Sequence, residues 1–211
     1  MAAIPLEEEI YYPESDGEPM AETQLHMKEM VYLVEALEER FQDTPDVFVA
    51  ANLFFYYGKG RRDAVVAPDV FVVRGIRKGL RRKYLLWEEG GKVPCFVAEL
   101  TSASTRREDL VSKKELYERL GVEEYILFDP YDEYLEPPFQ GYRLVDGRYR
   151  RMQTEPDGSL VSRALGVTIR VEEGRLRLID EGTGAPLLRN EEKTERLRAL
   201  EAEIARLRGG K

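Results

Sequence analysis

Two acids of this chain sit where an acid is costly to keep. Glu99 lies inside the apolar run Cys95–Thr101, and Asp69 lies inside Val65–Val73. An isolated carboxylate in a buried strand stays ionised only if a cation or a hydrogen-bond network compensates it. Lys113 follows on a helix-patterned stretch. Two carboxylates on neighbouring strands can hold a divalent cation, and a lysine beside them can orient water and stabilise charge developing on a phosphate. Together they make a minimal set for metal-dependent phosphodiester hydrolysis. The bland readings are a surface pair of Lys113 with Asp109, four residues earlier, and a turn after Pro68 that Asp69 merely caps.

Other chemistries find little support. One cysteine, Cys95, and one histidine, His26, cannot build a Cys/His zinc site or an internal disulfide framework. A metal here would have oxygen ligands, which suits Mg²⁺ or Mn²⁺. Ser102, Ser104 and Thr105 cluster in a turn, but no GxSxG elbow accompanies them and His26 is the sole candidate base, which argues against serine hydrolysis. Cys95 reads most simply as a core residue.

The elements around these residues follow from periodicity. Met27, Met30, Val31, Val34, Leu37 and Phe41 recur at helical spacing, predicting an amphipathic helix over Leu25–Phe41. Strand-like runs follow at Val47–Tyr57 and Val65–Val73, separated by Gly58-Lys59-Gly60. Pro68 fits the second run only at an edge, a bulge or a bend. Beyond the strand Cys95–Thr101, Thr105 and Glu108 have capping-box spacing, so a helix starts at Arg106 and stops at Gly121. A strand at Glu124–Phe128 completes a β-α-β unit with a right-handed crossover. Short β-runs with Gly turns then predict a small meander that finishes the sheet. Residues 1–182 read as one α/β (α+β) domain with a mixed sheet flanked by helices; 183–211 read as a polar linker and an amphipathic helix. Leu197, Leu200, Ile204 and Leu207 give that helix two heptads of a coiled-coil-like stripe, able to pack on its own domain or on a partner chain.

The chain has 211 residues, 43% hydrophobic and 34% charged, enough for one well-filled core. It contains no run of 18 apolar residues, and its acidic start lacks the pattern of a signal peptide, so a cytoplasmic, non-membrane protein is expected. The net charge of −8 is unevenly spread. Residues 1–22 hold seven acids and no base, whereas 59–83 hold nine bases and two acids. Arg74, Arg77, Lys78, Arg81, Arg82 and Lys83, with Arg106 and Arg107, are candidate phosphate contacts, against the plainer reading of a solvated basic loop.

Pro68-Asp69, then Glu99 in a later strand, then a lysine-bearing helix resemble the restriction-endonuclease-like PD-(D/E)xK superfamily. PDVFVV at 68–73, AELTSASTRREDLVSKKELYERLGVEEYILFDP at 98–130 and, more loosely, SDGEPMAETQLH at 15–26 resemble the Uma-two family, whose members carry the label "putative restriction endonuclease". The resemblance spans roughly residues 11–180. It implies a restriction-endonuclease-like mixed sheet, Asp69 and Glu99 as metal ligands, and the backbone carbonyl of Leu100 as a further one. A strict motif has lysine at 101, where this chain has Thr101; the family draws its lysine from the following helix, where Lys113 matches. A further acid from the N-terminal region would be Glu14 or Glu22, and His26 matches a family histidine. The implied activity is Mg²⁺- or Mn²⁺-dependent endonucleolytic hydrolysis of DNA, with nucleic acid as partner. The alternatives are a non-catalytic nuclease-fold module that binds nucleic acid or a protein, and a structural scaffold with two fortuitous acids.

Overall fold

The computed structural model describes residues 10–15 and 23–209. Helix α1 (Gln24–Arg40) begins at Thr23, whose hydroxyl accepts the His26 N–H, and packs Met30, Leu33, Ala36 and Leu37 inward. The run Val47–Tyr57 is broken at Asn52, which has a positive φ of 46°, into β1 (Val47–Ala51) and β2 (Phe55–Tyr56). Val65–Val73 is likewise split at Pro68 into β3 (Val65–Val66) and β4 (Val70–Arg74). Proline has no N–H for a ladder, so the chain changes sheets there. After β5 (Tyr84–Leu85) come β6 (Phe96–Leu100), a helix over 106–120 that ends in α2 (Lys114–Leu120), and β7 (Glu124–Phe128). Then follow β8 (Phe139–Val145), β9 (Arg148–Arg151), β10 (Leu160–Ser162), β11 (Val167–Glu172), β12 (Arg175–Asp180) and α3 (Asn190–Gly209).

The main sheet has the order β1-β4-β6-β7-β8-β9, with β6 and β7 parallel and the other pairs antiparallel. The expected mixed sheet and the parallel pair across the helix are therefore present. The meander differs from expectation. Only β8 and β9 extend the main sheet, while β10–β12 form a second sheet and β3-β2-β5 a third. The physical reason is two-sided burial. Val70, Val72, Phe96, Ala98 and Leu100 pack towards α1 and the β10–β12 sheet, joining Leu160, Val167, Ile169 and Leu178. Phe71, Val73, Val97, Tyr125 and Leu127 face the opposite way, towards Leu116, Tyr117 and Phe55. Alternate residues of a strand point to opposite faces, so a sheet covered on both sides has continuously apolar strands. Glu99 shares the α2 face with Val97, so the acid is aimed at the helix that carries Lys113.

Gly141 of β8 shows how tightly the α1 side is filled. A Cβ there would lie 2.8 Å from Leu160 Cδ1 and Met152 Sδ, and 2.9 Å from Ile126 Cδ1. Gly141→Ala is expected to destabilise the protein by ~1–3 kcal/mol through overpacking. A urea melt that matches wild type would show that this face gives way freely.

Candidate active site

The β4–β6 ladder ends at Val70 opposite Ala98. Beyond it, side chains take over from the backbone. The Leu100 N–H donates to Asp69 Oδ2 at 2.7 Å, and the Asp69 N–H donates to Glu99 Oε2 at 3.3 Å. The strand break at Pro68 is what turns Asp69 towards β6. On the α2 face, Lys113 Nζ donates to Glu99 Oε2 at 3.0 Å and the Tyr117 hydroxyl donates to Glu99 Oε1 at 2.7 Å. Lys113 Nζ also lies 3.0 Å from Asp109 Oδ1, and His26 Nε2 lies 3.5 Å from Asp69 Oδ1. Asp69, Glu99 and Lys113 thus converge, and Asp109, Tyr117 and His26 join them.

A π-helical stretch, Glu108–Lys113, explains how Lys113 and Asp109 both reach inward. The helix starts at Arg106, as its spacing predicts, but the Thr105 hydroxyl accepts the Ser102 N–H, and the reciprocal capping box does not form. Widening the turn changes which residues of the helix face the sheet, a device frequent at functional sites. Val111 is left exposed, and Asp109 and Lys113 are buried. The pair is therefore an interior one, not the surface pair that i,i+4 spacing suggests. Within it, Lys113 lies at ion-pair distance from Asp109, yet both Asp109 carboxylate oxygens lack a hydrogen bond among the described residues. Coulombic attraction does not depend on alignment, so the 3.0 Å separation is the better guide to the interaction.

Burial pushes the Glu99 carboxyl up to about 8 against the lowering effect of Lys113 and Tyr117, and Asp69 and Asp109 reinforce the rise. Burial works against the Lys113 ammonium, but Glu99, Asp109 and Asp69 outweigh it and hold its pKa above the ordinary lysine value. Lys113 is thus a fixed positive charge at neutral pH rather than a proton acceptor. No group of three or more His, Cys, Asp or Glu able to hold a metal ion occurs among the described residues. Two oxygen-donor carboxylates side by side still suit Mg²⁺ or Mn²⁺, because Mg²⁺ commonly takes one or two protein carboxylates and completes its shell with water and substrate phosphate.

Leu100 is buried at the end of β6, where its N–H holds Asp69. Glu14 pairs with Arg82 at 2.5 Å, and Glu22 lies outside the described residues. Ser102, Ser104 and Thr105 hydrogen-bond to one another. Most of the basic loop is engaged internally. Lys78 donates to the carbonyls of Phe41 and Gln42 just past α1, Arg81 pairs with Glu89, Lys83 donates to the Tyr12 carbonyl, and Arg74 donates to the Ala164 carbonyl. Arg106 and Arg107 are exposed at the start of the helix that bears Lys113. Asp109 and Tyr117 are site residues that the sequence does not single out. Their only sequence signal was the shared 3–4 residue spacing with Lys113.

Fold and site together define a mixed-sheet α/β protein with two acids and a lysine gathered where adjacent strands of the sheet end. The Uma2 family model, described as "Putative restriction endonuclease", matches residues 2–172, and the chain belongs to that family. It is similar in structure to a protein described as a "putative nuclease belonging to DUF820 from Anabaena variabilis ATCC 29413". The TM-score is 0.50 and the identity 15%, over 72% of this chain and 81% of that one, a likeness of fold. No match was found among curated proteins. No helix among the described residues is long and apolar enough to cross a membrane.

Proposed function

We propose that this chain is a Mg²⁺- or Mn²⁺-dependent endonuclease that hydrolyses DNA phosphodiester bonds. The observation that carries the reading is the convergence of Asp69, Glu99 and a permanently charged Lys113 at the ends of β4 and β6, in a member of the Uma2 family. Asp69, Glu99 and the Leu100 carbonyl would hold the cation. Once bound, such an ion neutralises phosphate charge and lowers the pKa of a coordinated water. Lys113 orients the attacking water and stabilises charge on the phosphate. Asp109 keeps the ammonium in place, and Tyr117 fixes the Glu99 rotamer through its hydroxyl. His26 orients Asp69. Arg106 and Arg107 meet the DNA backbone, a contact that positions substrate without reading sequence.

Calorimetric titration of Mn²⁺ into wild type and Asp69→Asn, buffered above the Glu99 midpoint, tests the site without knowledge of the substrate. Supercoiled plasmid incubated with Mn²⁺ then tests the reaction. Heat in the wild type only, with nicking, supports the proposal; nicking that Asp69→Asn leaves intact defeats it. DNA affinity is expected to fall steeply with salt, and Arg106→Ala and Arg107→Ala should each lower the log–log salt slope by about 0.9, one phosphate contact apiece. An unchanged slope would remove these arginines from the interface.

One observation favours a second reading. Both Glu99 oxygens already have protein donors, so the cluster could be a closed structural network in a fold kept for binding. That module would ignore Mn²⁺ in the same titration.

A further inference from the structure

The first turn of α3 is tied to the domain by Glu192 with Arg177, by Glu191 with Arg175 and by Lys193 with Glu39. From Thr194 to Arg208 every residue is exposed. A helical stretch of 15 residues without tertiary contacts is marginal in water, so its order calls for a covering surface. Its apolar stripe is unpartnered among the described residues: Leu197, Leu200, Ile204 and Leu207 are 57%, 49%, 47% and 66% exposed.

We propose that a second copy of this chain covers the stripe, the two α3 helices forming a parallel, two-stranded coiled coil. Charge decides both occupant and direction. With Leu197 and Ile204 at a and Leu200 and Leu207 at d, the flanking g positions are Arg196 and Glu203 and the e positions are Glu201 and Arg208. In a parallel pair each g residue faces the e residue five places on in the other helix. Arg196 then meets Glu201, and Glu203 meets Arg208; each contact is attractive and occurs twice. In the antiparallel pair that keeps the same core layers, Glu201 faces Glu201 and Glu203 faces Glu203, which repels. Isoleucine at a with leucine at d, as at Ile204 and Leu207, also favours two strands over more in a parallel coiled coil.

Two heptads predict modest affinity, so the full chain is examined by sedimentation equilibrium up to about 100 µM, where a dissociation constant of micromolar order populates the dimer. Wild type should dimerise, and Leu200→Asp/Ile204→Asp should be monomeric with an unchanged melting curve, since neither side chain packs on the domain. Arg196→Glu and Glu201→Arg should each weaken the dimer about tenfold, and the double swap should restore it. Leu200→Cys should form an intermolecular disulfide, because equivalent d positions face each other only in the parallel pair. Cys95 will not interfere, being buried with its thiol pushed up to about 12. A monomeric wild type, a dimer indifferent to the Leu200/Ile204 substitutions, a double swap as weak as the singles, or Leu200→Cys that fails to cross-link would each overturn the proposal. These readouts need neither metal nor DNA, so they stand or fall apart from the nuclease reading.

Discussion

Glu99→Gln is expected to abolish Mn²⁺ binding and to cut DNA cleavage by roughly three orders of magnitude while the protein stays folded. A catalytic cation stabilises phosphoryl-transfer charge by several kcal/mol, and about 1.4 kcal/mol corresponds to each tenfold in rate. The stability side runs the other way. Burial raises the Glu99 carboxyl to about 8, well above the ordinary glutamate value. A carboxyl raised on folding favours the native state least once it must ionise, so stability is lost as pH climbs from the ordinary glutamate range towards 8. A neutral amide of the same shape escapes that loss. It still accepts from Lys113 or Tyr117, and Asp109 continues to compensate the lysine. Melting above pH 8 should therefore give a Tm equal to wild type or higher. A purely structural network carries the same pH linkage and so the same Tm outcome, but it predicts no change in metal binding, because there was none. Metal binding therefore separates the two readings, and Tm shows that the variant is folded.

How much of this centre was legible in the sequence depends on the range of the interaction that builds it. Asp69 and Glu99 announced themselves because an acid in an apolar strand is locally anomalous. Pro68 marked the place where β3 and β4 part company, since a missing N–H is a local fact as well. The start at Arg106 and the stop at Gly121, where φ is 89°, were equally local. Asp109 was not legible. Its spacing from Lys113 fits a surface pair, and only the π-helical stretch, which has no simple sequence signature, turns both residues inward. Tyr117 sits among Leu110, Leu116 and Leu120 as an ordinary core aromatic of its helix, but its hydroxyl reaches an acid 18 residues away. In the sequence the basic loop is a charge pattern, and charge pattern says nothing of the carbonyls and acids that engage most of it. The split of the meander into two sheets depends on which face of the main sheet was left to cover, which no window of sequence contains.

The largest effect on stability is expected outside the set of site residues, at a residue no local pattern picked out. Glu29, on α1, is fully buried and accepts from Arg175 Nε at 2.9 Å, from the Leu176 N–H at 2.8 Å and from Arg189 Nη2 at 2.9 Å. Arg189 is itself buried; it donates to the Leu176 carbonyl and stacks over the Tyr32 ring at 3.9 Å. Removing the carboxylate strands that guanidinium, and breaking a buried pair from one side typically costs 3–5 kcal/mol. Glu29→Ala should thus lower Tm by roughly 6–20 °C at 2–4 °C per kcal/mol for a chain of this size. Glu29→Gln, which keeps an acceptor for Leu176, should lose less. If the alanine variant melted like wild type, the network would be redundant with the packing around it. The outer arm of the same network fixes its pH dependence. Hydrogen bonding to Arg177 lowers the Glu192 carboxyl to about 2. A carboxyl depressed on folding stabilises above its unfolded value and stops doing so as pH falls towards its folded one. Acid should therefore loosen the β12–α3 junction before the core melts. Because this junction sets where α3 leaves the domain, Glu29→Ala should also raise the protease sensitivity of residues 190–209 more than that of the main sheet.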